Sequence, residues 1–449
     1  MNRQFLEQMQ SLLKDEYNDY LDEMKKEPNR GYRINLLKAD IEDFFACTDL
    51  SNEPTGFCSN GYRLRKDDTS LGRSIPYAAG LFYIQEPSAS AAVTIMDPRP
   101  GMKILDLCAA PGSKSTEILE KLNNSGILVA NEINRSRSEV LCENVERCGA
   151  ANAVILNDTP AHIADQFASY FDMVLCDAPC SGEGMFRKNP DAEKEWSIEN
   201  VCSCAKRQKE ILEDAYRCLK PGGVLVYSTC TLNTVENEDV INAFISEHSD
   251  MHTQDAHASF GRGAYNRHNE SLYAVRIMPM DHGEGHFICR MIKEDNGETC
   301  YLSAKKSEKI PEFVLSFLDS QLSKRYPYLY MNHDKVYGGT YPFIETGRCM
   351  LVRQQVYLGR IQKDRFEPSH AMYMSSYCSF RNTVNLSDEQ AMSFLMGNAL
   401  IYPSERGYCS MQWKGFPIGF GKSDGKTIKN HYPKKLRISE RNRNGTGTV

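Results

Sequence analysis

Two cysteines stand just past the ends of short apolar runs. In residues 173–185 (MVLCDAPCSGEGM) the run is followed by Asp177 and Cys180, and in residues 225–232 (LVYSTCTL) by Cys230. Both runs predict buried parallel strands. In open α/β sheets, ligands bind beyond the carboxyl ends of such strands. A carboxylate and two thiols delivered to one sheet edge suit covalent catalysis by an activated cysteine. A free thiol, with a pKa of about 8.5, is only a few per cent ionised at neutral pH, so such a site must favour thiolate.

A second stretch predicts a cofactor pocket. Residues 104–115 (ILDLCAAPGSKS) read as strand, loop and helix, and the small residues Ala109, Ala110 and Gly112 let the backbone approach a ligand closely. The spacing is neither the ATP-type phosphate cradle nor the dinucleotide glycine pattern. That leaves a nucleoside cofactor without phosphates, with S-adenosyl-L-methionine the main candidate. Glu132 ends the next strand, 20 residues after Gly112 (132 minus 112), where it can accept both ribose hydroxyl protons. Asp158, just past the third strand, can accept from the adenine amino group. Either carboxylate taken singly is equally well a helix cap; their shared position at strand ends favours the ligand. Lys114 either steadies the loop or approaches the methionine carboxylate. Arg137 either anchors a carboxylate or lies on a helix face. His282 and His286, near the last strand, read as structural or substrate-edge residues; no partner ligands accompany them, and no metal is expected.

The elements that must position these groups follow a βαβ rhythm. Strands are expected over 103–107, 126–131, 152–156, 172–176 and 223–228, with helices over 115–122, 136–148, 198–219 and 236–248. Alternation of this kind predicts a parallel, doubly wound sheet. Residues 286–292 supply a last strand, expected at the antiparallel edge. Gly222-Gly223 marks a turn before the strand that carries Cys230. Ahead of the core, a helical pattern (Phe5, Met9, Leu12, Leu13) precedes residues 29–38, where Arg30, Arg33 and Lys38 interleave with Tyr32, a mixture suited to RNA backbone and base faces. Pro87 is placed at the first position of a helix. The text over 408–420 predicts a small β-barrel-like unit, and residues 442–449 are expected to fray.

With 449 residues the chain is too long for one core. It has no apolar run of the ~18 residues a membrane span needs and no signal-peptide pattern at its start, so a cytoplasmic location, no membrane and no obligate protein partner are expected. Its 16 cysteines include no C-x-x-C spacing and read as mostly reduced, buried thiols. The net charge of −6 argues mildly against nucleic acid, yet residues 414–443 hold nine Lys/Arg against two Asp/Glu, a footprint for phosphates.

Residues 106–114 (DLCAAPGSK), 177–182 (DAPCSG) and 227–231 (YSTCT) resemble the RNA cytosine-5 methyltransferases of the Nol1/Nop2/Sun family over roughly residues 76–292. Residues 419–422 (GFGK) and 429–434 (KNHYPK) resemble the PUA-like RNA-binding portion of bacterial members that act on small-subunit rRNA. The resemblance implies an α/β fold: a doubly wound, Rossmann-like class I methyltransferase sheet with an N-terminal α+β RNA-recognition module and a C-terminal PUA-like β domain. The expected divisions are 1–75, the N-terminal module; 76–295, the S-adenosylmethionine-dependent core; 296–375, of uncertain membership; and 376–449, the PUA-like domain. It also implies methyl transfer to cytosine C5 in RNA, with 16S rRNA of the small ribosomal subunit as the expected partner and tRNA the alternative. Cys230 is the implied nucleophile, Cys180 assists release, and Asp177 hydrogen-bonds the cytosine edge. The expected cofactor contacts are Cys108, Ala109, Ala110, Pro111, Gly112, Ser113, Lys114, Glu132, Asp158 and Asp177. A DNA cytosine-5 enzyme would use the Pro-Cys thiol as nucleophile and leaves Thr229-Cys230 without a purpose. An RNA-binding assembly factor with a decayed pocket is disfavoured by the intact Asp177, Cys180, Cys230, Glu132 and Asp158.

Overall fold

The computed structural model describes residues 2–265 and 272–438, so the expected fraying of 442–449 lies outside the described residues. The chain opens with helices Arg3–Leu13 and Tyr17–Met24. Asn2 caps the first by accepting from Gln4 N, and Phe5, Met9, Leu12 and Leu13, spaced to share one face, are all buried. Phe5 packs its ring edge-on against Phe186 and Trp196, at 4.9 and 5.6 Å between centroids. The first helix is thereby fixed to the segment that follows Cys180.

Strands β1 (Gly31–Ile34), β2 (Gly61–Arg63) and β3 (Phe82–Gln85) form an antiparallel sheet ordered β2-β1-β3. This placement overturns the RNA-facing expectation for residues 29–38. β1 is the central strand, and its side chains are covered on both faces. Tyr32 and Arg33 are buried, and the Lys38 amine donates to Ala79 O at 2.8 Å. The Arg33 guanidinium reaches Glu117 at 3.2 Å and Glu120 at 3.1 Å on helix Ser113–Leu122, and donates to Thr116 Oγ1 at 2.8 Å and Gln85 Oε1 at 2.7 Å. It is an internal clamp between the N-terminal sheet and helix Ser113–Leu122. Arg30 alone of the set stays exposed.

The large sheet is built from β4 (Lys103–Asp106), β5 (Ile127–Asn131), β6 (Ala153–Leu156), β7 (Phe171–Asp177), β8 (Leu219–Thr229), β9 (Met251–Thr253), β10 (Arg262–Gly263), β11 (Val275–Ile277) and β12 (His286–Lys293). A tenth strand from later in the chain, β15 (Leu351–Gln354), completes it, and its order is β10-β11-β12-β8-β7-β4-β5-β6-β15, with β9 also paired to β12. The run β8-β7-β4-β5-β6 is parallel. β4 is followed by β5 on one side, while its other neighbour is β7, so the connections leaving β4 and β7 part company and open a crevice at their carboxyl ends. β12 pairs antiparallel with β8 as expected, but it is not the edge: β11 and β9 both pair with it. The strands beyond it, in the polar text of 251–277, carry no apolar run by which to read them.

The rest of the chain contributes β13 (Tyr328–Asn332), β14 (Lys335–Gly339), β15 (Leu351–Gln354), β16 (Val356–Gln362) and β17 (Arg365–Pro368). Four of these make a sheet ordered β13-β14-β16-β17, whereas β15 leaves it to pair antiparallel with β6, so part of 296–375 belongs to the central sheet. Then β18 (Thr383–Leu386), β19 (Leu400–Ile401), β20 (Gly407–Trp413), β21 (Phe416–Ser423) and β22 (Thr427–Asn430) form a separate five-stranded sheet, β18-β20-β21-β22-β19. No described helix is long and apolar enough to cross a membrane.

Candidate active site

Parallel pairing sets Asp177, the last residue of β7, beside Ser228 on β8. Ser228 Oγ donates to Asp177 Oδ1 at 2.6 Å, and Lys114 Nζ lies 2.7 Å from Asp177 Oδ2. Burial alone would lower the Lys114 amine, but the Asp177 charge outweighs it and holds the amine above its ordinary value. Three residues past β7 comes Cys180, and directly past β8 comes Cys230; their sulfurs are 3.3 Å apart and both thiols are half-buried. The hydrogen bond to Cys230, reinforced by burial, pushes the Cys180 thiol well above its ordinary value. All sixteen cysteines are free.

The loop from β4 into helix Ser113–Leu122 forms the other wall. Gly112 takes φ +113°, and a Cβ there would come within 3.1 Å of Leu141 Cδ1, so both conformation and space call for glycine. No side chain caps the helix that follows, leaving first-turn N–H groups for an anion. Ala109 and Ala110 are buried, Cys108, Ser113 and Lys114 half-buried, and Pro111 exposed. Ser113 Oγ donates to Gln85 Oε1 at 2.7 Å. Burial raises the Cys108 thiol well above its ordinary value.

Glu132 is nearly buried; Oε1 accepts from Asn134 N at 2.9 Å, and Oε2 lies 3.5 Å from Arg137 Nη1. Acceptor capacity remains for ribose hydroxyls. Arg137 also donates to Ala110 O at 2.7 Å, which ties the glycine loop to Glu132. Asp158 differs. Its Oδ1 accepts from Thr159 N at 2.8 Å and faces His162 Nδ1 at 2.8 Å, while Oδ2 accepts from Met350 N at 3.0 Å. Burial would raise this carboxyl, but these bonds together hold it below the usual range, and its acceptors are largely spent within the chain.

Two residues of this wall escaped sequence reasoning. Asp106 ends β4 fully buried; Ser115 donates to Oδ2 at 2.6 Å, while Oδ1 has no partner. Burial pushes its carboxyl up to about 7. An orphaned buried acceptor beside an uncapped helix start fits the ammonium and carboxylate ends of an amino-acid-bearing cofactor. Asn131 staples the strand ends together, donating to Leu107 O at 3.2 Å and Asp158 O at 3.0 Å and accepting from Asp158 N at 3.0 Å. The sequence signal for both was only their place at strand ends. His286 is buried with Nδ1 2.9 Å from Ser88 Oγ, which donates to Glu86 Oε2 at 2.6 Å. His282 sits in a left-handed turn at φ +66°.

Comparison with known proteins identifies the family. Family models match over residues 93–292 (16S rRNA methyltransferase RsmB/F), 1–87 (N-terminal domain of 16S rRNA methyltransferase RsmF) and 381–438 (methyltransferase RsmF PUA domain). The chain is 32% identical to ribosomal RNA small subunit methyltransferase F of Vibrio parahaemolyticus, covering 96% of each chain. It is 31% identical to the protein of that name in Aeromonas salmonicida, covering 93% of each. Among solved structures, a methyltransferase homolog from Pyrococcus horikoshii is 27% identical with a TM-score of 0.58, over 65% of this chain and 95% of that one. NSun6 from the same organism, solved with SFG, shares the fold with a TM-score of 0.57 at 20% identity, over 65% of this chain and 98% of that one.

Proposed function

Because the chain belongs to the ribosomal RNA small subunit methyltransferase F family of S-adenosylmethionine-dependent enzymes, we propose that it methylates C5 of a cytosine in 16S rRNA through a covalent adduct on Cys230. The observation that carries this reading is the 3.3 Å pair of sulfurs next to the Lys114–Asp177 ion pair.

Cytosine C5 is a poor nucleophile because the ring is electron-poor. Addition of the Cys230 thiolate to C6 forms an S–C6 bond and moves electron density onto C5. Bound S-adenosylmethionine supplies an electrophilic methyl group, and the segment from Cys108 to Lys114, with Glu132 and the orphaned carboxyl of Asp106, would hold it. Asp177 hydrogen-bonds the N3 or amino edge of the base. After transfer a base takes the C5 proton, the S–C6 bond breaks, and Cys180 assists the release.

A base inside such a crevice must leave its stack, so loop or single-stranded RNA is the substrate form. The C-terminal sheet supplies a phosphate-binding face. Lys422 and Lys429 are exposed and directly opposite each other on β21 and β22, an arrangement that like charges destabilise until an anion joins them. We assign residues 1–87, which take in β3, to a module packed on the core, the residues from there to 295 to catalysis, 296–375 to a connection whose β15 joins the central sheet, and 376–449 to RNA binding in the cytoplasm.

Bisulfite mapping of total RNA with and without the gene identifies the modified base. Cys230→Ala is expected to abolish methyl transfer, and Cys180→Ala to leave protein covalently attached to RNA. Full turnover by Cys230→Ala would overturn the mechanism, and a lost mark in tRNA would redirect the substrate.

A further inference from the structure

The two thiols stand on separate loops, and each loop sends a buried glutamate into the other. Glu183, three residues past Cys180, accepts at Oε2 from Leu232 N and Asn233 N, both at 2.8 Å. Its Oε1 accepts from Trp196 Nε1 at 2.9 Å and from Gln8 Nε2, on the first helix, at 3.3 Å. Glu236, six residues past Cys230, accepts at Oε2 from Ser181 N at 2.9 Å and Gln208 Nε2 at 2.8 Å. Its Oε1 accepts from Asn233 Nδ2 at 2.8 Å and from Ser181 Oγ. Gln208 also holds Pro179 O at 3.1 Å, and Gly184 N donates to Cys230 O at 2.9 Å.

An ionised carboxylate accepts at about four sites and donates at none, and each of these two receives four hydrogen bonds. Both are buried, at 1% and 0% exposure, and neither is ion-paired to a cation among the described residues. Burying a charge against neutral donors alone is expensive unless every acceptor is used. A glutamine of the same shape would turn an N–H toward a donor at either site. Both sites thus call for acceptor-only chemistry, between the loops that carry the two sulfurs.

We propose that Glu183 and Glu236 are positioning residues that together fix the distance between Cys180 and Cys230, with Glu236 setting Cys180 for the release step through the adjoining Ser181 amide. This rests on the assignment of Cys180 to release under the proposed function. Glu183 further links that setting to the N-terminal helix through Gln8.

The test compares wild type, Cys180→Ala, Glu236→Gln and Glu236→Asp with 16S rRNA and S-adenosylmethionine. It reads steady-state methyl transfer, the RNA-linked fraction on a denaturing gel, and cofactor affinity by calorimetry. Glu236→Gln is expected to lose about 10²-fold in turnover, the scale of a displacement near 1 Å. Its RNA-linked fraction rises toward that of Cys180→Ala, its cofactor affinity is unchanged, and Glu236→Asp recovers part of the rate. Wild-type turnover in Glu236→Gln, or joint loss of turnover and adduct, overturns the inference. If Glu236→Gln does not fold, Ser181→Ala, which removes one hydrogen bond to Glu236, must show the same rise in adduct in milder form or the inference falls. Absence of adduct in Cys180→Ala would instead overturn the release assignment itself.

Discussion

Cys180 Sγ and Cys230 Sγ face each other at 3.3 Å, although fifty positions separate them in the chain (230 minus 180). A disulfide needs about 2.05 Å, so a small closure of the two loops would join them.

Mild oxidation with diamide is therefore expected to form a Cys180–Cys230 bond, abolish methyl transfer and be reversed by dithiothreitol. Because the Cys180 thiol is held well above its ordinary value, the reaction is expected to be faster at alkaline than at neutral pH. Peptide mapping that finds both cysteines still reduced after complete inactivation would contradict the pairing.

Arg33 is expected to matter for stability rather than for RNA binding. Burial already pushes the Glu117 carboxyl up to about 7 with the guanidinium in place. Arg33→Met would leave Glu117 and Glu120 buried without their cation, a loss of about 3–5 kcal/mol. Urea unfolding measures it; a loss within about 0.5 kcal/mol, the range of an ordinary surface change, would show that the clamp carries little.

Glu146 predicts an acid transition. Burial would raise its carboxyl, but the hydrogen bond from His370 at 2.9 Å and the charge of Arg353 at 2.5 Å hold it down to about 2. Its folded value lies below its ordinary 4.5, so the unfolded chain takes up the proton first as pH falls. The stabilisation is complete above about pH 4.5 and is lost as pH drops toward about 2, amounting to as much as about 3 kcal/mol. Melts of wild type and Glu146→Gln between about pH 6 and 3 should converge as pH falls; parallel curves would exclude this contact as the source.

The sequence read most of the core correctly because the core is periodic. The apolar runs of β4, β5, β6 and β7 predict buried strands at nearly their observed bounds, β8 starts four residues before its expected 223 and takes in Gly222-Gly223, and Phe5, Met9, Leu12 and Leu13 predict the buried face of the first helix. The reading failed where a residue's surroundings come from distant chain. Arg33 and Tyr32 look like an RNA-facing pair until one face of β1 packs on helix Ser113–Leu122, where Arg33 meets Glu117 and Glu120, and the other sets Tyr32 against Phe44. β12 looks like an edge until the polar strands β9 and β11 pair with it, and Leu351–Gln354 carries no sign that it will close the far side of the sheet on β6.

By itself, the amino-acid order determined which groups are available for chemistry: two thiols and Asp177 past strand ends, a glycine-bearing loop, and acids at the ends of neighbouring strands. Those features are local, set by side-chain period and turn chemistry over a few residues. Only the tertiary structure decided the sulfur separation, the orphaned acceptor of Asp106 and the exchange of Glu183 and Glu236 between loops. Each of these depends on hydrogen bonds and burial between segments far apart in the chain, where no local pattern records which partner a buried charge will find.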